Sequence, residues 1–312
     1  MVRDPAADLT PGDRDQLAYA VAHPRRIDPA ALDALAALLA AQRRLEDAIG
    51  AAAVVGPVAA QLDVVTALAG DARGQLRPRL VSLAAQWAQY AGWLHTATQD
   101  PRGAERLWSR SLEWATEAGD RDLIGTVMSF RGYAAEARGE IGAMIGLSRV
   151  TIGDPAVFVG QRAYDRYQLA RGLAYTGDAG AALDALAAGD DEARAAAEYT
   201  GVIPPWHYYR SPSFFSIEAG KGFRVLAAID KRYARRAVAL LSAGLAGLPP
   251  DARAADWGGS YLVELATALV LAGDLVEAEA ALTEARQIAA ATRSGRLVAR
   301  VNSAVRSLSA TA

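Results

Sequence analysis

The stretch LVLAGDLVEAEAALTEARQIA at residues 269–289 decides the fold, because its layout recurs three times upstream. The matching stretches are HTATQDPRGAERLWSRSLEWATEAGD (95–120), AEARGEIGAMIGLSRVTIGD (135–154) and AYTGDAGAALDALAAGD (174–190). Each has a turn ending in an acid, Asp100, Glu140, Asp178 or Asp274, and then an apolar helix whose fourth position is small or flexible. The first three acids stand 40 and 38 residues apart, and 96 residues precede the last. A fixed period of that size marks stacked helical hairpins.

The surrounding chain fits such an array. No alternation of β-branched and polar residues runs beyond a few positions, so strands are not expected. DPAALDALAALLAAQRRLEDAIG (28–50) opens with Asp28 as N-cap and Pro29 at the first helical position and stops at Gly50. GPVAAQLDVVTALAGDA (56–72) supplies its antiparallel partner. In the 96-residue interval, PPWHYYRSPSFF (204–215) breaks the helical rhythm. There Pro204 and Pro205 stop a helix, and Ser211 with Pro212 starts the next. KRYARRAVALLSAGLAGLPPD (231–251) gives a second helix whose turn is out of register, which predicts an insertion of a few residues.

Composition narrows the function. The chain has 52% hydrophobic and 22% charged residues and a formal charge of −2, a folded protein with no general attraction to nucleic acid or anionic membranes. Cysteine is absent, which removes disulfides and thiol chemistry. The polar start MVRDPAADLTPGDRDQ lacks a signal-peptide core, and no segment reads as the roughly 18 uncharged apolar residues of a membrane span. The expected location is the cytoplasm. Phosphate loops, dinucleotide fingerprints, HExxH and GxSxG are missing, and His23, His95 and His207 lie far apart. No cofactor, metal site or catalytic residue is therefore assigned.

The period resembles the tetratricopeptide repeat. The carrying positions are Gly92, Ala104 and Trp108, then Gly132, Gly139 and Met144, then Ala170, Gly177 and Ala182, and finally Ala266, Gly273, Ala278 and Leu282. The expected fold class is all-α, a right-handed superhelical α-solenoid of antiparallel helix pairs. Residues 28–312 form a single domain after an N-terminal arm or linker remnant over 1–27. Several phrases sharpen the likeness: YAVAHPRRID, LAAQRRLEDAIG, AAQWAQYAGWLHTATQD, LEWATEAGD, PPWHYYRSP, GLAGLPPD and WGGSYLVELA. Together they resemble the C-terminal tetratricopeptide sensor domain of actinobacterial helix-turn-helix (XRE-type) transcriptional regulators.

That resemblance implies a solenoid sensing a peptide, small-molecule effector or partner protein, in regulation of secondary metabolism or development. About 18 residues precede the shared region, too few for a three-helix DNA reader. DNA contact is thus expected only through a domain absent from this chain, and the chain is either a trimmed piece or a stand-alone relative. A homodimer stays open.

In such solenoids the first helix of each pair lines the concave groove. This register presents Gln86, Gln89 and Trp93, then Thr126, Ser129, Tyr133 and Glu136, then Tyr164, Tyr167 and Arg171. Rings supply contact area at low entropy cost and polar groups set orientation, which suits binding. Trp206, His207, Tyr208 and Arg210 sit at an inter-repeat junction, bordering the groove beside Tyr164, Tyr167 and Arg171. Trp257 and Tyr261 fall on the same side, and Trp87, Trp108 and Trp114 are packing residues. The binding set is Gln89, Trp93, Ser129, Tyr133, Glu136, Tyr164, Tyr167, Arg171, Trp206, His207, Tyr208 and Arg210. Alanine at Tyr167 and Arg171 is expected to weaken binding and leave helicity intact. A partner-binding scaffold is the alternative, and a biosynthetic enzyme using a Tyr, an Arg or His207 is a third reading.

Overall fold

The computed structural model describes Gly12 and residues 28–309. The expected arm over 1–27, with His23, falls outside the described residues except for Gly12. All regular structure among the described residues is helical. The α-helices are α1 (Pro29–Ile49), α2 (Ala51–Asp71), α3 (Arg77–Ala97), α4 (Pro101–Ala118), α5 (Arg121–Ala137), α6 (Ile141–Ile152) and α7 (Val159–Tyr175). They continue as α8 (Ala179–Ala197), α9 (Pro212–Ile229), α10 (Ala234–Ala246), α11 (Pro250–Ala254), α12 (Asp256–Ala272), α13 (Leu275–Ala291) and α14 (Gly295–Ser309). Two compact units arise, one within Met1–Glu46 and Gly50–Val127, the other within Asp47–Ile49 and Met128–Ala312.

One turn geometry recurs six times among the described residues. The amides of Asp100, Asp120, Glu140, Asp178, Asp274 and Ser294 each donate to the carbonyl five residues back, at 2.8–3.0 Å. Each follows a left-handed residue: Gln99, Gly119, Gly139, Gly177, Gly273 or Arg293. This closes the preceding helix in a Schellman-type turn. Asp100, Asp120, Asp178 and Ser294 then cap the next helix with a side-chain oxygen. Glu140 and Asp274 make no such cap and pair with Arg138 and Arg235 instead. Asp28 caps α1 by accepting from the Ala31 amide at 2.8 Å, as expected.

In the first unit, α3 packs on α2 and α4. Trp108 of α4 lies 1% exposed and donates to the Gln89 carbonyl of α3 at 3.2 Å. It fits because Gly92 has no side chain; a Cβ there would collide with the indole. Trp87 and Trp114 are buried, as expected of packing residues. Tyr90 reaches from α3 to the Gln42 carbonyl of α1 at 2.8 Å. The expectation of no span-like segment needs correcting at α2. Its best 18-residue window has a mean hydropathy of 1.6, enough by length and composition to cross a membrane. Alanine raises that value, and Val54, Val58, Leu62, Val65 and Leu68 form a buried side.

In the second unit successive helices pack together at α6 on α7, α7 on α8, α8 on α9, α9 on α10, α12 on α13 and α13 on α14. Helices that are not consecutive also meet: α7 on α9, α9 on α12, and α12 on α14. This is the pattern of hairpins stacked in chain order. The expected small or core positions Ala170, Ala182, Ala266, Ala278 and Leu282 are all buried there. Between α9 and α10 the common turn is replaced by a 3-10 turn, Lys231–Tyr233, after the extended Asp230. That replacement explains the register break read in the sequence.

Gly92→Ala is expected to lower the melting temperature through about 1–3 kcal/mol of overpacking against Trp108. Gly146→Ala, in α6 with nothing within 4 Å of the added carbon, is expected to gain about 0.5–1 kcal/mol. Equal shifts in thermal unfolding would contradict the close-approach account.

Candidate functional site

The odd-numbered helices α5, α7 and α9, with α12 and α14, direct charged side chains of the second unit into one network. On α7, Tyr164, Gln168, Arg171 and Tyr175 recur at three- and four-residue steps and so share a face. Arg171 is 0% exposed. Its Nε donates to Glu136 of α5 at 3.1 and 3.2 Å, its Nη2 to the same carboxylate at 3.1 Å, and its Nη1 to Glu218 of α9 at 2.8 Å. Glu218 also accepts from Lys221 Nζ at 2.9 and 3.0 Å and from the Tyr261 hydroxyl of α12 at 3.0 Å. A second carboxylate on α12, Glu264, pairs with Arg224 of α9 at 2.5 Å and Arg300 of α14 at 2.6 Å. Arg296 of α14 donates to the Tyr133 hydroxyl of α5 at 2.9 Å and pairs with Asp256.

Four cations, Arg171, Lys221, Arg224 and Arg300, thus meet three carboxylates, Glu136, Glu218 and Glu264. Burial alone raises a carboxyl pKa, but around Glu264 the charges of Arg224 and Arg300 outweigh it and hold the group at about 2. At Glu218 the same contest is won by Lys221 and Arg171, which keep it below its ordinary value. Burial opposes the charge on Arg171, and Glu136 and Glu218 overcome it, so its pKa lies well above the usual value.

An aromatic cluster adjoins the ions. Phe214 stacks on Tyr164 at 6.0 Å and meets Tyr209 at 5.3 Å and Tyr261 at 6.3 Å. Trp257 lies 6.2 Å from Tyr209 and 5.9 Å from Tyr261. Arg210 stacks over Tyr164 at 4.9 Å and donates to the Gly160 carbonyl at 3.0 Å. The junction is built as read: a 3-10 turn over Pro205–His207, then Ser211 accepting from the Phe214 amide at 3.3 Å.

The expected binding residues therefore have different surroundings. Arg210 does meet Tyr164, whereas His207 is buried between Phe158 at 5.4 Å and Trp206 at 5.7 Å. Tyr208 is exposed, edge-on to Tyr209 at 5.4 Å. Tyr167 is buried with its hydroxyl on Asp190 at 2.8 Å. Ser129 is buried on Asp165, and Glu136 and Tyr133 hold Arg171 and Arg296. Gln89 and Trp93 belong to the first unit, Gln89 buried and Trp93 half-buried, with the indole 3.4 Å from Glu46. Removing Arg171 would leave half-buried Glu136 without its cation and buried Glu218 with Lys221 alone, at a cost of about 3–5 kcal/mol.

Glu218, Lys221, Arg224, Glu264 and Arg300 escaped the sequence reading. A signal was present: Glu264 is the one carboxylate in the apolar run YLVELATALVLA, and Lys221 is one of two lysines in the chain. A charge isolated in an apolar helix must find a partner when buried. Asp165 was missed as well. It is 0% exposed, with Oδ2 accepting from Ser129 and from Gln161 at 2.6 Å, and Oδ1 has no hydrogen-bond partner among the described residues. Burial pushes its pKa up to about 7 against the smaller opposing effects of Ser129, Gln161, Arg210 and Arg171. Among the described residues no cluster of three metal-ligating side chains occurs.

A carboxyl whose pKa is higher folded than unfolded binds more protons in the native state, so its contribution to stability falls as pH rises between the two values. For Asp165 that window runs from about 4 to about 7. Asp165→Asn is expected to flatten this slope, gaining on wild type steadily from pH 4 to 7 in urea unfolding. A gain independent of pH would contradict the assignment.

No family model matches the chain, and no curated protein matches it. Among solved structures, the crystal structure of BtubC (BKLC) from P. vanneervenii is similar over 78% of this chain and 92% of that chain, with 15% identity and a TM-score of 0.48. At that distance the likeness carries no argument about function.

Proposed function

We propose that the stacked hairpins form a right-handed superhelical, tetratricopeptide-like α-solenoid and that the chain is the effector-, peptide- or partner-binding module of a transcriptional regulator. Its role is regulation of secondary metabolism or development, in the cytoplasm, and contact with DNA belongs to a domain other than this chain. The observation that carries the binding role is the division of labour in the second unit. Helices α7, α9, α12 and α14 bring ions and aromatic rings to one shared face, while α10 and α13 contribute mainly alanine and leucine to the packing. Polar and aromatic groups gathered on one face of a rigid stack suit recognition, because the scaffold positions them without further ordering cost. The regulatory context rests on the resemblance of the quoted phrases.

A partner-protein scaffold is the second reading. It is favoured by the burial of Arg171 and Tyr167, which leaves side chains such as Tyr175, 44% exposed, to meet a partner at the rim.

Amide hydrogen exchange on the purified chain, with and without the molecules that co-purify from its native host, tests the proposal. Protection is expected in α7, α9, α12 and α14. Protection confined to α8, α10 and α13 would contradict it.

A further inference from the structure

Helices α12 and α14 run parallel, tied by Asp256 to Arg296 and by Glu264 to Arg300. A cleft of about 290 Å³ lies between them over Leu282 of α13. Val263, Ala266, Thr267 and Val270 form one wall, and Ser303, Ala304 and Ser307 form the other together with Arg300. Both sets follow the i, i+3, i+4, i+7 spacing of a single helix face. The floor and the α12 wall are apolar apart from Thr267, whose hydroxyl is spent on the Val263 carbonyl at 2.9 Å.

Arg300 gives the cleft a charged end. Its Nη2 holds Glu264 at 2.6 Å, and its Nε and Nη1 make no hydrogen bond among the described residues. Glu264 is shared with Arg224, so two guanidinium groups face one carboxylate and a positive charge is left over at the rim. Arg300 is 31% exposed, accessible to a ligand from solvent. A planar cation with two donors free matches a carboxylate.

We propose that this cleft binds a small amphipathic carboxylate, its anionic head on Arg300 and its apolar body against Val263, Ala266, Val270 and Leu282. At about 30 Å³ per water-sized group, the volume takes a ligand of about ten non-hydrogen atoms. Octanoate has that size. This inference deepens the proposed function and rests on its reading of the α12 and α14 face as a binding surface.

Isothermal titration of the full chain with sodium octanoate and with octan-1-ol tests it. Octanoate is expected to bind saturably, one per chain and at least tenfold tighter than the alcohol. Arg300→Gln is expected to remove that tenfold preference and to leave alcohol binding unchanged; Glu264 retains Arg224, so the variant strands no buried charge. Ala304→Leu, which narrows the cleft, is expected to weaken both ligands at least tenfold. Circular dichroism melts of each variant establish folding, and the comparison of the two ligands on wild type needs no variant. Absence of saturable octanoate binding, equal affinity for the alcohol, or wild-type binding by Ala304→Leu would overturn the inference. Failure of octanoate with exchange protection retained in α7 and α9 overturns this inference alone. Octanoate binding without any such protection from co-purifying molecules overturns the wider reading alone.

Discussion

The second unit depends on one buried guanidinium. Arg171 has no exposed surface and joins Glu136 of α5 to Glu218 of α9, so three successive inner helices share a single cation. Removing such a charge from water costs several kcal/mol, and only well-made partners on both sides offset it. The bonds to Arg171 meet that demand, with two nitrogens on one carboxylate and the third on the other. Lys221 and Tyr261 occupy the remaining positions around Glu218. A network in which each member satisfies another fixes how the helices slide past one another, which apolar packing of alanine and leucine does weakly. Register is therefore the property the ions add to a core that is otherwise generic.

The repeated turn supplies the other half of the architecture. At six turns a left-handed residue ends the helix and an acid or serine follows it, four times as an N-cap, so that the same local geometry leads from one helix into the next. Glycine takes the left-handed position at four of the six turns, while Gln99 and Arg293 adopt it at some conformational cost. Where two helices then approach closely, a missing side chain makes room for a large one, as Gly92 does for Trp108.

Local chemistry was legible in the sequence, and long-range pairing was not. The acids Asp100, Glu140, Asp178 and Asp274, the caps Asp28 and Ser211, and the break at Pro204 and Pro205 act within a few residues, so their meaning is written beside them. The small positions Gly92, Ala170, Ala182, Ala266 and Ala278 were legible because the period recurs. The network was only half visible. Glu136, Tyr164 and Arg171 lie on helices whose register the repeat makes clear, whereas Glu218 and Glu264 lie within the 96-residue interval where the register is broken by the 3-10 turn at Lys231–Tyr233, and Arg300 lies beyond it. Their partners on other helices lie 36 to 47 residues away, at distances no local pattern encodes. The hydropathy of α2 was missed for a different reason: its alanines raise the mean without forming a run of large apolar side chains.

Chemistry and accessibility separate across the face. Around Arg171 the groups are committed to one another, and toward α14 the network ends in a half-exposed arginine beside an apolar cleft. The most direct measurement of the central claim is a double-mutant cycle of Arg171→Met and Glu218→Gln by urea unfolding. Each single change should cost about 3–5 kcal/mol, and the double should cost less than their sum by more than about 1 kcal/mol. Additive losses would contradict the claim that this buried pair sets the register of the helices.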